Sequence, residues 1–130
     1  MSLNDPLANA LSHIRNCEIA AKKKVIIRDS SKLIKEVLTI LKKRGFIEGY
    51  KEIKATNGDC LEVDLKGAIN NCGAIKPRFS VTLGEYEKFE KRYLPAKDFG
   101  IIIVSTNKGI VTHSEALEKN LGGRLIAYCY

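Results

Sequence analysis

The chain has 130 residues, of which 45% are hydrophobic and 28% charged, a composition that excludes a disordered chain and is typical of one folded domain or two small modules. Its net charge of +7 at pH 7 favours an anionic partner, because a positive field attracts polyanions. The N-terminus lacks a signal pattern and no apolar run reaches the length of a membrane span, so a cytoplasmic protein with no membrane partner is expected.

The first part of the chain begins with a predicted helix and strand. Apolar residues recur at three- and four-residue steps over residues 4–20, which indicates an amphipathic helix. Asp5 is a candidate N-cap of this helix, and Pro6 lies in its first turn. A short β-branched strand is predicted at 25–27.

A second helix and a hairpin follow. Ser30 and Ser31 are candidate caps for the helix, which a glycine ends after a basic last turn. Segments 49–54 and 60–65 lie on either side of an Asn-Gly turn at 57–58, and the second of them alternates apolar and acidic side chains. This pattern predicts a β-hairpin.

The remaining sequence predicts a mostly β module with short helices. In chain order its predicted elements are a linker or irregular loop at 66–76, a strand at 78–83, a charged helix at 84–93, a buried strand at 99–104, a helix from the Thr112 capping box to Asn120, and a final strand at 124–130. The predicted class is therefore α+β, with two small modules: an N-terminal α/β module at 1–66 and a C-terminal mostly β module at 67–130.

A Ser-Thr-Asn-Lys-Gly turn at 105–109 is the best candidate site. The hydroxyls of Ser105 and Thr106 both donate and accept hydrogen bonds, the Asn107 amide can read a base edge, and Lys108 suits phosphate. Gly109 removes a side chain where a backbone must come close to a partner. This set suits RNA, because a 2′-hydroxyl needs a partner that donates and accepts. The alternative is that the hydroxyls only brace a turn, with Asn107 and Gly109 in left-handed conformations.

Basic side chains elsewhere offer further phosphate contacts. Lysines at 22–24 and the basic residues at 42–44 could hold phosphates without sequence preference, although the second run is better explained as a solvated last helical turn. Arg15 stands among amides and hydroxyls on the polar face of the first helix. It is a better RNA contact than either run, or a surface ion-pair partner.

Residues with catalytic chemistry do not form a recognisable constellation. His13 and His113 are placed on a helix face and in a capping box, where solvated polar side chains are usual. Glu62 and Asp64 lie on the solvent-facing side of a half-buried strand, and Cys129 is a small hydrophobic core residue. The four cysteines lack metal-ligand spacing and are expected to stay reduced. No catalytic residue, metal or cofactor is predicted.

Three stretches of the sequence resemble a known family. "NDPLANALSHIRNCEIAAKKKV", "IKEVLTILKKRGFIEGY" and "GIIIVSTNKGIVTHSEALEKNLGGRLIAYCY" resemble the universal small-ribosomal-subunit protein number eight along the whole chain, in its archaeal and eukaryotic form. The third is the most specific, since a Ser-Thr-x-x-Gly-[Ile/Val] turn, an acidic-small pair and Gly-Gly before a C-terminal aromatic residue fall in the family's order and spacing.

The resemblance implies a ribosome-associated protein that binds the central domain of small-subunit rRNA directly and helps to assemble it. It implies neighbouring small-subunit ribosomal proteins as further partners, and no DNA is expected. In the family, the turn at 105–109 meets a distorted RNA helix in its minor groove, so the C-terminal module is the RNA-binding one. Asn107 stands where the family commonly has serine, so a hydroxyl contact there is replaced by an amide or lost.

The resemblance also implies contacts beyond the turn. Four residues at the first helix match family positions that face a second RNA segment: Asn4, Pro6, Asn9 and Arg15. Two glycines, Gly122 and Gly123, match a close backbone approach in the family. From the sequence alone, the two glycines are explained more simply as a helix stop.

Three alternatives to an rRNA-binding protein remain. The first is a translational regulator that binds an mRNA mimic of the same RNA helix. The second is a small enzyme, but the sequence has no nucleophile and base near a Gly-rich loop, which such an enzyme would need. The third is a protein-interaction module that docks through residues 42–50, which would not explain the turn at 105–109.

Overall fold

The computed structural model describes residues 6–28, 31–54, 56, 58–76, 78–96 and 99–130. The chain forms two compact units, Met1–Asn71 and Cys72–Tyr130, which are here called unit 1 and unit 2. Within the described ranges there are four α-helices and eight strands in two antiparallel sheets, which confirms the predicted α+β class. Asp5, Ser30 and the first residue of the predicted Asn-Gly turn lie outside the described residues.

The helices of unit 1 follow the apolar periodicity of the sequence. Helix α1, Pro6–Ile19, buries a stripe of five residues, and helix α2, Lys32–Lys43, buries four. Ser31 caps α2, since its hydroxyl accepts a hydrogen bond from the Ile34 N–H at 3.4 Å. The buried side chains of the two stripes are Leu7, Ala10, Leu11, Ile14 and Cys17 in α1, and Ile34, Val37, Leu38 and Leu41 in α2.

Unit 1 also contains a three-stranded sheet. Its strands are β1, Lys24–Ile27, β2, Ile47–Ile53, and β3, Cys60–Leu65, in the order β1-β3-β2. The central strand β3 buries its apolar residues and leaves the acidic ones between them partly exposed. The predicted hairpin is therefore present, with β3 paired on both edges.

Unit 2 contains the second sheet and the remaining helices. Its elements are β4, Cys72–Ala74, β5, Ser80–Val81, a 3₁₀ turn, Leu83–Glu85, α3, Tyr86–Tyr93, β6, Ile101–Thr106, β7, Gly109–Thr112, α4, His113–Glu118, and β8, Gly123–Cys129. The strand order is β4-β8-β6-β7, and β5 also pairs with β8. Ile102, Val104 and Leu125 are fully buried in the core of this unit with Tyr86 and Phe89 of α3.

Two short strands of unit 2 were not predicted. The segment at 66–76, expected to be a linker or irregular loop, contains β4, whose three residues are too few to show a period and which is held by pairing with distant β8. Strand β7 was missed because its four residues lead directly into a capped helix.

The strand predicted at 78–83 is also shorter than expected. It is reduced to β5 because the Thr82 N–H donates to Glu85 Oε1 at 2.9 Å, which starts the 3₁₀ turn. A local capping interaction therefore ends the extended backbone one residue after Val81.

Candidate nucleic-acid interface

The segment at 105–109 is the end of a β-hairpin and not a free turn. Ser105 and Thr106 belong to β6, Gly109 begins β7, and Thr106 is paired with Gly109. Only Asn107 and Lys108 form the turn itself. Gly109 has φ of +110°, but Asn107 does not share a left-handed conformation, since the non-glycine residues with positive φ in the described part of the chain are Ala21 and Asn120.

The two hydroxyls of the hairpin have different roles. Thr106 Oγ1 donates to the Gly109 carbonyl oxygen at 2.8 Å and accepts from the Lys108 N–H at 3.1 Å. Thr106 therefore stabilises the turn, as expected if the hydroxyls only brace it. Within the described residues the half-buried Ser105 side chain forms no hydrogen bond, so its hydroxyl can still donate and accept.

The tip of the hairpin is polar and cationic. Asn107, Lys108 and Gly109 are exposed, and the Lys108 ammonium has no ion pair within the described ranges. An amide with two donors and one acceptor group is thus next to an unneutralised cation. The tip can contact a phosphate with Lys108 and a base edge or sugar with Asn107.

Gly122 and Gly123 lie where backbones approach closely. A Cβ at residue 123 would collide with the Ser105 carbonyl oxygen, and one at residue 122 would lie 2.9 Å from the Val81 carbonyl oxygen. The helix-stop explanation is wrong, because α4 ends at Glu118 and Asn120 takes the positive φ of 56° that follows it. The two glycines allow β8 to pack tightly against β5 and β6.

The second set of predicted contacts lies in unit 1. Pro6, Asn9 and Arg15 are exposed on α1, while Asn4 lies outside the described residues. Pro6 and Asn9 line a cavity of about 340 Å³ together with Ala10 and His13 of α1, Ile26 and Ile27 of β1, and Arg28 after it. Arg15 does not line this cavity, so α1 contributes to a concave site with a mostly apolar lining and carries a separate exposed cation.

The basic runs differ in how far neighbouring carboxylates neutralise them. The Lys24 ammonium lies 3.3 Å from Glu62 and 3.9 Å from Asp64, and Lys51 is 3.4 Å from Glu62. The Lys24 hydrogen bond is the main cause that lowers the pKa of Glu62. Lys22 and Lys23 are exposed, and within the described residues neither forms an ion pair. They are better phosphate contacts than Lys24.

His113 is not the solvated side chain that its capping position suggested. It is 3% exposed, its Nδ1 accepts from the Ile102 N–H at 3.1 Å, and its Nε2 lies 2.8 Å from Glu90 Oε2. Because Nδ1 accepts, the proton is on Nε2, which donates to the carboxylate. His113 therefore joins α4 to β6 and α3 as a buried structural residue.

The described ranges contain no group of three or more His, Cys, Asp or Glu side chains that could hold a metal ion. Cys129 is 1% exposed in β8 and packs as a small core residue. No helix in the same ranges has both the length and the apolar character needed to cross a membrane.

These features define an α+β protein of two compact units that presents a polar, cationic β-hairpin. A model of the family described as ribosomal protein S8 matches residues 5–130. The chain belongs to the ribosomal protein S8 family. It is accordingly a ribosomal protein of the small subunit that binds rRNA, and the family is one of structural RNA-binding proteins that work with other ribosomal proteins and not a family of enzymes.

Proposed function

We propose that this protein binds the central domain of small-subunit rRNA through the exposed end of the β6–β7 hairpin and helps to assemble and stabilise that domain in the cytoplasm. The module at 67–130 carries this contact. The observation that supports it best is that the side chains of the hairpin have different roles. The Thr106 hydroxyl forms hydrogen bonds within the turn, whereas the side chains of Ser105, Asn107 and Lys108 are available to contact RNA.

The residue types of the hairpin fit an irregular RNA helix. The wide, shallow minor groove of RNA presents 2′-hydroxyls and base edges. The Ser105 hydroxyl can pair with a 2′-hydroxyl in either direction, and the Asn107 amide replaces the hydroxyl that the family commonly offers at that position. Lys108 neutralises a phosphate, which adds affinity but no sequence preference. Gly109 leaves the edge of the turn open to a close backbone approach.

A second RNA segment is proposed to meet the exposed face of α1. Pro6, Asn9 and Arg15 are exposed there, and Asn4 precedes them in the sequence. An arginine suits phosphate because its planar fork offers two parallel donors. Lys22 and Lys23 follow the helix as exposed cations and add to the nonspecific part of the affinity.

A salt-titrated binding assay tests the hairpin. The full chain is compared with Ser105→Ala, Lys108→Ala and the control Lys119→Ala, an exposed lysine at the end of α4. Each is titrated with a central-domain rRNA fragment and with a length-matched regular duplex. We expect the wild type to prefer the fragment, Ser105→Ala to erase the preference, and Lys108→Ala to lower the salt slope by about 1 while the preference is kept. Equal binding of both RNAs, unaffected by any variant, would contradict the proposal.

An mRNA that imitates the same RNA helix is an alternative ligand for this surface. The chemistry of the hairpin is the same for both RNAs, since it reads shape, sugar and phosphate. The presence of a similar fold in the protein's own messenger, bound as tightly as the rRNA fragment and lost with Ser105→Ala, would support a regulatory role. A messenger that binds no better than the regular duplex would exclude it.

A further inference from the structure

Strand register places an unassigned arginine beside Ser105. Ser105 in β6 is paired with Arg124 in β8, and Arg124 is paired on its other side with Ser80 in β5. Directly opposed residues of antiparallel strands project from the same face, with Cβ atoms about 5 Å apart. Ser80, Arg124 and Ser105 therefore form one row across three strands.

The row is accessible. Arg124 and Ser80 are exposed and Ser105 is half-buried, and within the described residues none of the three side chains forms a hydrogen bond or an ion pair. The residue before Arg124 is Gly123, which has no side chain to cover the row, and the residue after it, Leu125, is fully buried. Within the part of the chain that the structure describes, the guanidinium is thus an unneutralised cation next to a hydroxyl without a hydrogen bond.

Arg124 and Lys108 lie on two sides of Ser105. Arg124 is its neighbour across the sheet, and Lys108 is three residues further along the hairpin, at most about 10 Å away for extended backbone. A nucleic-acid strand that passes over the Ser105 hydroxyl would have a cation on each side. This arrangement fits a sugar between two phosphates.

We propose that Arg124 is a phosphate-binding residue of this surface and acts with Ser105 on one nucleotide, the guanidinium on its phosphate and the hydroxyl on its ribose. The inference rests on the proposed function, since it deepens the hairpin site. The planar guanidinium binds a phosphate through two parallel hydrogen bonds, which a lysine cannot do. Ser80 extends the row with a further hydroxyl.

A double-mutant cycle tests whether the two side chains share a nucleotide. Arg124→Ala, Ser105→Ala and the double variant are titrated with the central-domain fragment, beside Arg124→Lys and the control Lys119→Ala. We expect Arg124→Ala to weaken binding about tenfold and to lower the salt slope by about 1. Arg124→Lys is expected to keep the slope but lose part of the affinity. The double variant should bind clearly better than the product of the two single losses predicts.

Three outcomes would overturn the inference. If Arg124→Ala binds like Lys119→Ala while the wild type still prefers the fragment, Arg124 has no role and the proposed function survives. If the losses of Arg124→Ala and Ser105→Ala multiply, the two residues act on separate nucleotides. If the wild type does not prefer the fragment, the proposed function fails and this inference fails with it. Thermal unfolding of each variant separates lost binding from lost folding.

Discussion

Gly123 packs directly against the carbonyl oxygen of Ser105, with no space for a Cβ between them. The same missing Cβ would also lie 2.8 Å from Val104 Cγ1. Strands β8 and β6 are therefore held together at the position where the hairpin leaves the sheet. The position of the Ser105 hydroxyl depends on a residue that carries no functional group.

Replacing Gly123 with alanine should destabilise unit 2. The added methyl group must push β6 away from β8, and overpacking of this kind costs about 1–3 kcal/mol. Urea denaturation of Gly123→Ala measures the free energy of unfolding. Gly84→Ala is a suitable control, because nothing lies within 4 Å of a Cβ at that position; we expect its effect to stay within about 0.5 kcal/mol. Equal unfolding curves for the two variants would contradict the close packing described here.

Thr106→Val should loosen the turn without removing one of the side chains that are proposed to contact RNA. The variant loses the hydroxyl that donates to Gly109 and accepts from Lys108, at a cost of about 0.5–1.5 kcal/mol per hydrogen bond. We expect RNA affinity to fall by about threefold to tenfold because the turn must be ordered on binding. Thr106→Ser keeps the hydroxyl and should bind as the wild type does. A loss of affinity in Thr106→Ser equal to that of Thr106→Val would show that the methyl group matters instead.

His113→Ala should strongly destabilise unit 2. It leaves the Ile102 N–H without its acceptor and the Glu90 carboxylate, with 12% of its side chain exposed, without its donor. We expect a loss of about 3 kcal/mol in the free energy of unfolding. The comparison is with His13→Ala on the exposed face of α1, which should have little effect. A loss for His113→Ala as small as the one expected for His13→Ala would mean that the buried hydrogen bonds contribute no net stability.

Tyr86 should contribute a pH dependence at the alkaline end. Burial raises the pKa of its phenol above the ordinary 10.0, and the hydroxyl donates to the Leu121 carbonyl oxygen at 3.0 Å. Since the folded pKa is above the unfolded one, the stabilisation is complete below about pH 10 and is lost as the pH rises through the folded pKa. The difference in tyrosinate absorbance between the wild type and Tyr86→Phe measures this titration. A midpoint at or below 10 would contradict the raised pKa.

The helices of unit 1 could be predicted from the sequence because their stability depends on a regular apolar stripe. The residues that repeat along α1 and α2 are the residues that the structure buries. Strands β4 and β7 could not be predicted in this way. Each is too short for a period. Strand β4 is held by pairing with distant β8, and the four residues of β7 lead directly into the capped helix α4.

The candidate site could be predicted only in part from the sequence. The residue types at 105–109 pointed to a polar site, but the sequence could not tell that Thr106 is used internally and Ser105 is not, since this depends on the hairpin register. His113 was misjudged because its partners, Ile102 and Glu90, are 11 and 23 residues away. Arg124 was not singled out, because its neighbour Ser105 is set by an irregular register that only the paired strands define.

Strand β8 pairs with three others, β4, β5 and β6. Strands β4 and β5 precede β8 by many residues, so a long loop must close before these strands can pair. Such non-local pairing slows folding. The row of Ser80, Arg124 and Ser105 exists only when β8 is in place between β5 and β6. On the proposed function, RNA affinity should therefore be acquired during refolding only once β8 has paired with both β5 and β6.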